Sequence, residues 1–507
     1  MPTTATTLLP DDPNDQVVRQ NTHPSDWQNP TAQSRYDLVV IGGGTAGLVS
    51  AGGAALAGAK VALVERDLMG GDCLVTGCVP SKGMIRAARA AAEVRDSHRF
   101  GVRSTGIEVD FAAAMEQMRR ARATISQHDA VRHFSDKYGV DVFLGDGRFA
   151  APDAVDVGGV TLRFARAVIA TGARATVPPI PGLADAGFRT NETIFNLTER
   201  PRRLVVLGGG PLGCEMAQAF ARLGSDVIIV DRNDRFLHRE DPDAADLLRR
   251  VFEREGIQLR LNSTVEHVEV GQDFVKRLHV RGHGEAAVIE ADEVLAGVGR
   301  TPNVEGLNLE VAGVRNDERG VTVDDYLRTS NHRIYACGDV CLKHKFTHMA
   351  DATARLAVRN ALLFPFKRVS ELVVPWVTYT DPEVAHVGMY EWQAAEKGVA
   401  LQTYCVPMSG VDRAVTDGQT EGFAKLHVEK GKDKIVGATL VGSHAGEMLS
   451  QITSAIVNGV GLKGLADVIY PYPTQSEAIK KAADEYLQSR FTSPLKRLLG
   501  LWLSLRR

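Results

Sequence analysis

Residues 70–82, GGDCLVTGCVPSK, set two thiols, Cys73 and Cys78, five positions apart between a pair of glycines and Lys82. Two sulfurs this close can form a structural disulfide, supply half of a metal site, or cycle between dithiol and disulfide. A resident metal needs further ligands at zinc-like spacing, and the neighbours Asp72, Thr76 and Lys82 supply neither a second CxxC nor a histidine pair, so no metal site is expected. In a regular helix five residues advance about 7.5 Å, more than the roughly 4.4–6.8 Å that a disulfide tolerates between Cα atoms. The sulfurs therefore meet only if the segment is a distorted turn, which Gly70, Gly71 and Gly77 permit. Pro80 suits the first turn of a helix, and SKGMIRAARAAAEVRD reads as that helix. A cysteine at its N-terminus, with Lys82 one turn on, has its thiolate stabilised by the helix dipole and the positive charge. Cys78 is expected to be reactive.

The chain that carries this loop has 507 residues, 44% hydrophobic and 24% charged, enough for roughly three domains. With 59 Lys+Arg against 62 Asp+Glu, the net charge of −3 gives no electrostatic case for a nucleic-acid partner. Six cysteines are too few for a secreted disulfide scaffold. The start, MPTTATTLLPDDPNDQ, lacks the basic region and apolar run of a signal peptide, and no stretch of about 18 apolar residues appears, so the chain is expected in the cytoplasm.

Two glycine turns must position the chemistry. YDLVVIGGGTAGLVSAGGAALAGAKVALVE reads as a buried strand, a Gly42-x-Gly44-x-x-Gly47 turn, a small-residue helix and a second strand ending in Glu65. Such glycines let backbone N–H groups approach a pyrophosphate at a helix N-terminus, and the acid accepts ribose hydroxyls. RRLVVLGGGPLGCEMAQAFARLGSDVIIVD repeats the pattern with Gly208, Gly210, Gly213 and Asp231. Two units imply two dinucleotides. Asp231 favours a free 2′-hydroxyl and so NADH, whereas Arg232 and Arg235 beside it favour a 2′-phosphate.

These motifs, in this order, resemble the flavoprotein disulfide reductases that bind two dinucleotides, the group of dihydrolipoamide dehydrogenase, glutathione reductase and mercuric reductase. The resemblance covers residues 36 to about 489. Gly70–Lys82 match the redox motif GGxCxxxGCxPSK, with Gly71 beside the cofactor. VIATGARATVPPIPG, with Thr171 and Gly172, is similar to the segment where such chains leave the FAD domain, and GVGRTPN, with Gly299, to the segment where they return. IYACGDV resembles the second FAD motif, in which Asp339 binds the ribityl or phosphate portion. FTHMADATARLAVRNALL would be the helix beginning beside the flavin and disulfide, and YTDPEVAHVG opens a region similar to the dimerisation domain.

The resemblance implies an α/β fold with two Rossmann-like dinucleotide-binding domains, one for FAD and one for NAD(P), and a C-terminal α+β dimerisation domain in a homodimer. FAD would be bound by a discontinuous domain, 36–180 and 298–370, and NAD(P)H by 181–297; 371–489 would dimerise. It also implies roles. Electrons from NAD(P)H pass through FAD to a Cys73–Cys78 disulfide, with Cys78 facing the flavin and Cys73 the interchange thiol. Lys82 sits near the flavin, paired with Glu215. The paired cysteines Cys337 and Cys341, around Gly338 and Asp339, read as small buried thiols.

The substrate side departs from the family pattern. Disulfide-reducing members carry His-Pro-x-x-x-x-Glu near the C-terminus, whereas YPYPTQSEAIKKAADEY places Tyr472 at the histidine position, followed by Pro473 and Glu477. A phenol with a reference pKa near 10 is a poor base at neutral pH beside an imidazole near 6.5. His444 and His348 are the alternatives, each more simply read as structural. Mercuric reductases share the tyrosine, and two thiolates suit a soft metal ion; the expected acceptor is therefore Hg(II), another soft metal ion or a disulfide. The vicinal cysteine pair of mercuric reductases has no counterpart here, since Cys405 is the last cysteine. Dihydrolipoamide dehydrogenase and a low-turnover, membrane-associated redox flavoprotein are the competing readings.

Both ends lie outside the resemblance. Residues 1–35 are rich in Thr, Asp, Asn, Gln and Pro and are expected to be disordered. Residues 490–507, RFTSPLKRLLGLWLSLRR, combine leucines and Trp502 with five basic residues and no acid, a composition suited to weak contact with an anionic membrane, to docking on the protein itself, or to fraying.

Overall fold

YDLVVI and VALVE are apolar runs buried on both faces, the pattern of parallel strands covered on either side. In the computed structural model, which describes residues 6–282, 284–364, 367–491 and 493–506, they form β1 (Tyr36–Ile41) and β2 (Val61–Glu65), joined by α1 (Thr45–Leu56). With β3 (Asp141–Leu144), β4 (Gly147–Ala151), β5 (Ala154–Val157) and β6 (Val160–Ile169) they make a sheet in the order β3-β2-β1-β6-β5-β4, and the strand Ile334–Ala336 also pairs with β6. Strands β3, β2, β1 and β6 run parallel, whereas β5 and β4 are antiparallel additions. Between β2 and β3 lie α2 (Gly71–Val75), α3 (Cys78–Asp96) and α4 (Phe111–Ser126), which carry and support the cysteine loop.

The second glycine turn builds the same unit again. β7 (Arg203–Leu207), α5 (Pro211–Arg222) and β8 (Asp226–Val230) are followed by β9 (Gln258–Arg260), and with β13 (Glu293–Ala296) the strands form a parallel sheet in the order β9-β8-β7-β13. An antiparallel sheet of β10 (Ser263–Val270), β11 (Lys276–Gly282) and β12 (Glu285–Ala291) lies in sequence between β9 and β13. Exit from and return to the first half are hydrogen-bonded to each other. Arg300–Pro302 pairs antiparallel with Ala173–Ala175, Thr171 Oγ1 donates to the Asn303 carbonyl at 2.7 Å, and Asn303 N donates to the Gly172 carbonyl at 3.0 Å. The helix α6 (Thr347–Leu362) then packs against α1.

All of this belongs to one compact unit, Met1–Arg232 with Glu255–Leu372; the other is Asn233–Arg254 with Val373–Arg507. The second unit is an antiparallel sheet of β14 (Pro375–Thr378), β15 (Glu383–Gly388), β16 (Leu401–Pro407), β17 (Phe423–Glu429) and β18 (Ile435–Gly442), ordered β14-β15-β18-β17-β16. Helices α7 (Ala445–Val457) and α8 (Glu477–Ser489) pack on it through Leu449, Ile452, Ile479 and Tyr486. Residues 233–254 fall inside the expected nucleotide domain by linear order yet join this second unit. Charge explains it: Lys425 Nζ donates to Asp241 at 2.9 Å and to Asp243 at 2.6 Å, and the buried Glu240 accepts from Tyr390 and Trp376.

The N-terminal extension differs most from its expectation. Instead of disorder, residues 13–22 form a helix, Pro13–Thr22, capped by Asp12, whose carboxylate accepts from Asp15 N at 2.9 Å. Asp15 is fully buried against Arg122 of α4 at 2.6 Å, and Asp12 meets Arg119 at 2.6 Å. Arg122 also donates to the carbonyl of Val75, between the two cysteines, at 2.8 Å. Leu8 and Val18 share a core with Leu68, Leu74 and Val75. The polar composition of the extension conceals this because its counter-ions stand 107 positions away. Removing one partner of a buried ion pair leaves an uncompensated charge, at a cost of about 3–5 kcal/mol. Arg122→Leu is therefore expected to lower the unfolding free energy by that amount in urea titrations, and an unchanged midpoint would contradict the burial of this pair.

Candidate active site

Two short helices bring the thiols together. Gly70 opens the loop at φ 90°, and a Cβ there would strike Leu74 and Asp129. Cys73 lies within α2, and Cys78 is the first residue of α3, with Gly77 as its cap. A side chain at position 77 would sit 2.7 Å from the Asp72 carbonyl oxygen. The break between α2 and α3 replaces the continuous helix that would have kept the sulfurs apart. Both are free thiols, half-buried and hydrogen-bonded to each other. Cys78 Sγ also lies 3.1 Å from Oγ1 of Thr347, the first residue of α6.

The pair is electrostatically unequal. The hydrogen bond from Cys73, followed by that from Thr347 and the charge of Lys82, brings Cys78 down to about 6 against the opposing effects of burial and Asp72. The same hydrogen bond, with burial, pushes Cys73 well up. At neutral pH Cys78 is thus a thiolate that accepts from a protonated Cys73. Lys82 Nζ donates to Glu215 Oε2 at 2.8 Å, and Glu215 is buried on α5, so this ion pair joins the two glycine-turn halves of the first unit.

A second network fixes the loop from the other side. Asp72 accepts from Arg300 at 2.8 Å, from Asn191 at 2.8 Å and from Thr76 at 2.7 Å, and Arg300 reaches Asp339 at 3.4 Å. Burial raises the Asp339 carboxyl against the opposing charges of Arg300 and Lys345. Sequence reasoning missed Thr347, Arg300 and Asn191 as site residues. Arg300 and Thr347 lie inside stretches already singled out, and the side-chain meetings are what the linear order hides.

The nucleotide turns share one geometry. A Cβ on Gly47 would lie 1.7 Å from the Gly42 carbonyl oxygen, and one on Gly213 2.0 Å from that of Gly208, so only glycine lets each helix approach its strand. Gly44 and Gly210 cap α1 and α5 without any side-chain hydrogen bond, and a Cβ on Gly210 would meet nothing within 4 Å. Glu65 accepts from Gly43 N at 2.5 Å and Asp231 from Gly209 N at 2.6 Å. These uncapped helix N-termini, each with a carboxylate beside the turn and, at Gly210, open space at the second glycine, fit a pyrophosphate and ribose. Gly70 N donates to the Gly43 carbonyl at 2.8 Å, which ties the cysteine loop to the first turn. Gly71 lies against Gly44 there, and Thr171, Gly172 and Gly299 stand at the crossings between the halves.

The remaining expected residues make contacts of their own. In the second unit Tyr472 is exposed and donates to Asp412 at 2.9 Å, which raises its hydroxyl pKa, while Glu477 opens α8 and pairs with Lys481 at 3.0 Å. His444 caps α7 and is exposed, and His348 is exposed on α6, where it stacks on Phe346. Burial pushes Cys337 up to about 12 and Cys341 well up, so both remain protonated. On β10 and β11, His267, Glu269 and His279 bring ligand atoms within 4.8 Å of one another, a grouping visible only once the strands pair.

The low value at Cys78 is directly measurable. Alkylation of Cys78 in the reduced enzyme by iodoacetamide is expected to rise about tenfold per pH unit below an inflection near pH 6 and to level off above it, since the thiolate is the nucleophile. Lys82→Met should move the inflection upward. An inflection near 8.5 in the unaltered protein would contradict the thiolate assignment.

Residues 36–355 match the family model described as "Pyridine nucleotide-disulphide oxidoreductase", and residues 374–483 match "Pyridine nucleotide-disulphide oxidoreductase, dimerisation domain". The chain is 36% identical over 448 residues to "Mercuric reductase" of Bacillus cereus, covering 88% of this chain and 71% of that protein. It is 33% identical over 454 residues to "Dihydrolipoyl dehydrogenase" of Chlamydia muridarum, covering 88% and 96%. Among solved structures it is similar to "Cu(II) complex of HOCl-induced flavoprotein disulfide reductase RclA from Escherichia coli", with a TM-score of 0.80 and 29% identity over 89% of this chain and 99% of that one. The chain therefore belongs to the pyridine nucleotide-disulphide oxidoreductases, flavoprotein enzymes that use FAD and NAD(P)H, and combines two dinucleotide-binding domains with a C-terminal dimerisation domain.

Proposed function

We propose that this protein is a homodimeric, mercuric-reductase-like enzyme that uses the Cys73–Cys78 pair to deliver electrons from NAD(P)H to a thiol-reactive acceptor, Hg(II) or another soft metal ion. The observation that carries the reading is the unequal dithiol without a histidine base, Tyr472 standing at that position. A thiol–disulfide exchange substrate requires a base to take the proton of Cys73. A soft metal ion does not: binding to both sulfurs uses the Cys78 thiolate and itself displaces the Cys73 proton.

FAD, when bound, supplies the two-electron relay between the nicotinamide and the sulfur pair. The residues for holding it are the Gly42–Gly47 turn, Glu65, Gly71, Thr171, Gly172, Gly299 and Asp339; those for NAD(P)H are the Gly208–Gly213 turn and Asp231. Lys82, oriented by Glu215, adds positive potential beside Cys78. Thr347 holds the Cys78 sulfur by hydrogen bonding. When the reduced ion leaves, Cys78 returns to thiolate and Cys73 retakes a proton. Tyr472 and Glu477 are assigned to the acceptor side, with Tyr472 orienting the metal ion. The Cu(II) complex of the RclA reductase supports a metal ion as acceptor class. The sparse cysteine content, six in 507 residues, supports a reducing, cytoplasmic compartment.

The competing reading, a dihydrolipoamide dehydrogenase, is favoured by retention of Pro473 and Glu477 and by the Chlamydia muridarum relative. Steady-state NAD(P)H oxidation with Hg(II) in excess thiol, against turnover of dihydrolipoamide, separates the two. Hg(II) is expected to be the better substrate, and Cys73→Ser or Cys78→Ser should each lower its turnover at least about a hundredfold. Tyr472→His should raise dihydrolipoamide turnover by about tenfold or more, because a positioned base contributes on the order of 10²–10⁴. Efficient dihydrolipoamide turnover by the unaltered enzyme would overturn the metal-ion reading.

A further inference from the structure

Residues 490–507 are not absorbed by the redox chemistry. They contain the helix α9 (Ser493–Ser504), and every described residue from 493 to 506 is exposed. At 3.6 residues per turn, Leu495, Leu498, Leu499 and Trp502 fall on one line, with Leu501 and Leu503 flanking it. Ser493, Lys496, Arg497, Gly500 and Ser504 share the opposite arc. Apolar and polar residues are thus segregated around the helix, with Leu498 and Leu501 each 64% exposed and Trp502 48% exposed.

Charge identifies what covers this face. Residues 490–507 hold five basic residues and no acid, and Arg506 lies over the Trp502 ring at 4.1 Å. A helix of 12 residues is about 18 Å long, short of the roughly 30 Å hydrocarbon core of a bilayer, so it cannot span one. Leucines and a tryptophan along one arc, Lys496 and Arg497 on the other and no acid to repel phosphate are the requirements for lying in an anionic lipid interface. A protein partner would have to supply a leucine-lined groove with an acidic rim, and the helix presents its leucines exposed.

We propose that α9 is an interfacial anchor that seats the enzyme on anionic lipid surfaces, with Leu495, Leu498, Leu499 and Trp502 entering the acyl boundary and Lys496, Arg497 and Arg506 meeting headgroup phosphates. The anchor works independently of the acceptor: it holds whether the enzyme reduces a metal ion or a disulfide.

Flotation of the tag-free, FAD-loaded full chain with vesicles of phosphatidylcholine alone or mixed equally with phosphatidylglycerol tests it. Binding to the anionic vesicles is expected to exceed binding to the neutral ones at least about tenfold and to weaken in about 0.5 M NaCl. A chain ending at residue 489, and the charge reversal Lys496→Glu/Arg497→Glu, should each lose that binding while keeping flavin content and NADH-dependent ferricyanide reduction. Brominated lipids should quench the Trp502 emission, read as the difference from the shortened chain. Equal flotation of the full and shortened chains would overturn the proposal. So would failure of the full chain to float, or a change in oligomeric mass on shortening without any lipid binding, which would mark the helix as a protein contact.

Discussion

A sulfur that stays ionised near pH 6 in a half-buried site needs hydrogen-bond donors and positive potential arranged around one atom. At Cys78 these come from distant parts of the first unit: the N-terminus of α3, the hydroxyl of Thr347 on α6, the thiol of Cys73 on α2, and Lys82 held by Glu215 on α5. Each contributor is fixed by packing that serves another purpose as well. Thr347 begins the helix that packs on α1, and Glu215 sits on α5, the helix of the second glycine turn. The fold can be read as the means of converging these groups on a single sulfur.

The contiguous parts of this arrangement are legible in the sequence. The glycine turns, their flanking apolar strands and the cysteine loop are each encoded within about thirty residues, where periodicity and glycine placement suffice. The argument that Cys73 and Cys78 meet only if the helix is broken anticipates the α2–α3 break at Gly77. What linear reasoning does not reach are the meetings between segments. Arg300 with Asp72, Thr347 with Cys78, and Lys425 with Asp241 join residues far apart in the chain, and nothing in either local stretch names the partner. The pairing of Lys82 with Glu215 was expected only through the family resemblance.

The N-terminal helix is the sharpest case. By composition residues 1–35 read as an unstructured tail, and the matched family model begins only at residue 36. Yet Asp15, through Arg122, reaches the Val75 carbonyl between Cys73 and Cys78. A buried ion pair contributes little net stability over an apolar substitute but fixes geometry once formed. Here it holds α4 against the backbone of the cysteine loop, from a segment that lies outside the matched family model. Composition-based expectations of disorder fail where a few charges have buried counterparts elsewhere.

The four remaining cysteines bear on durability. Cys337 and Cys341 are kept as neutral thiols by burial and Cys405 is raised by partial burial, so these three offer no competing thiolate at neutral pH, and Cys214 is buried. The thiol whose pKa is pulled down is thus Cys78, and the burial of Cys337 and Cys341 keeps wrong sulfur linkages from competing with its pairing to Cys73.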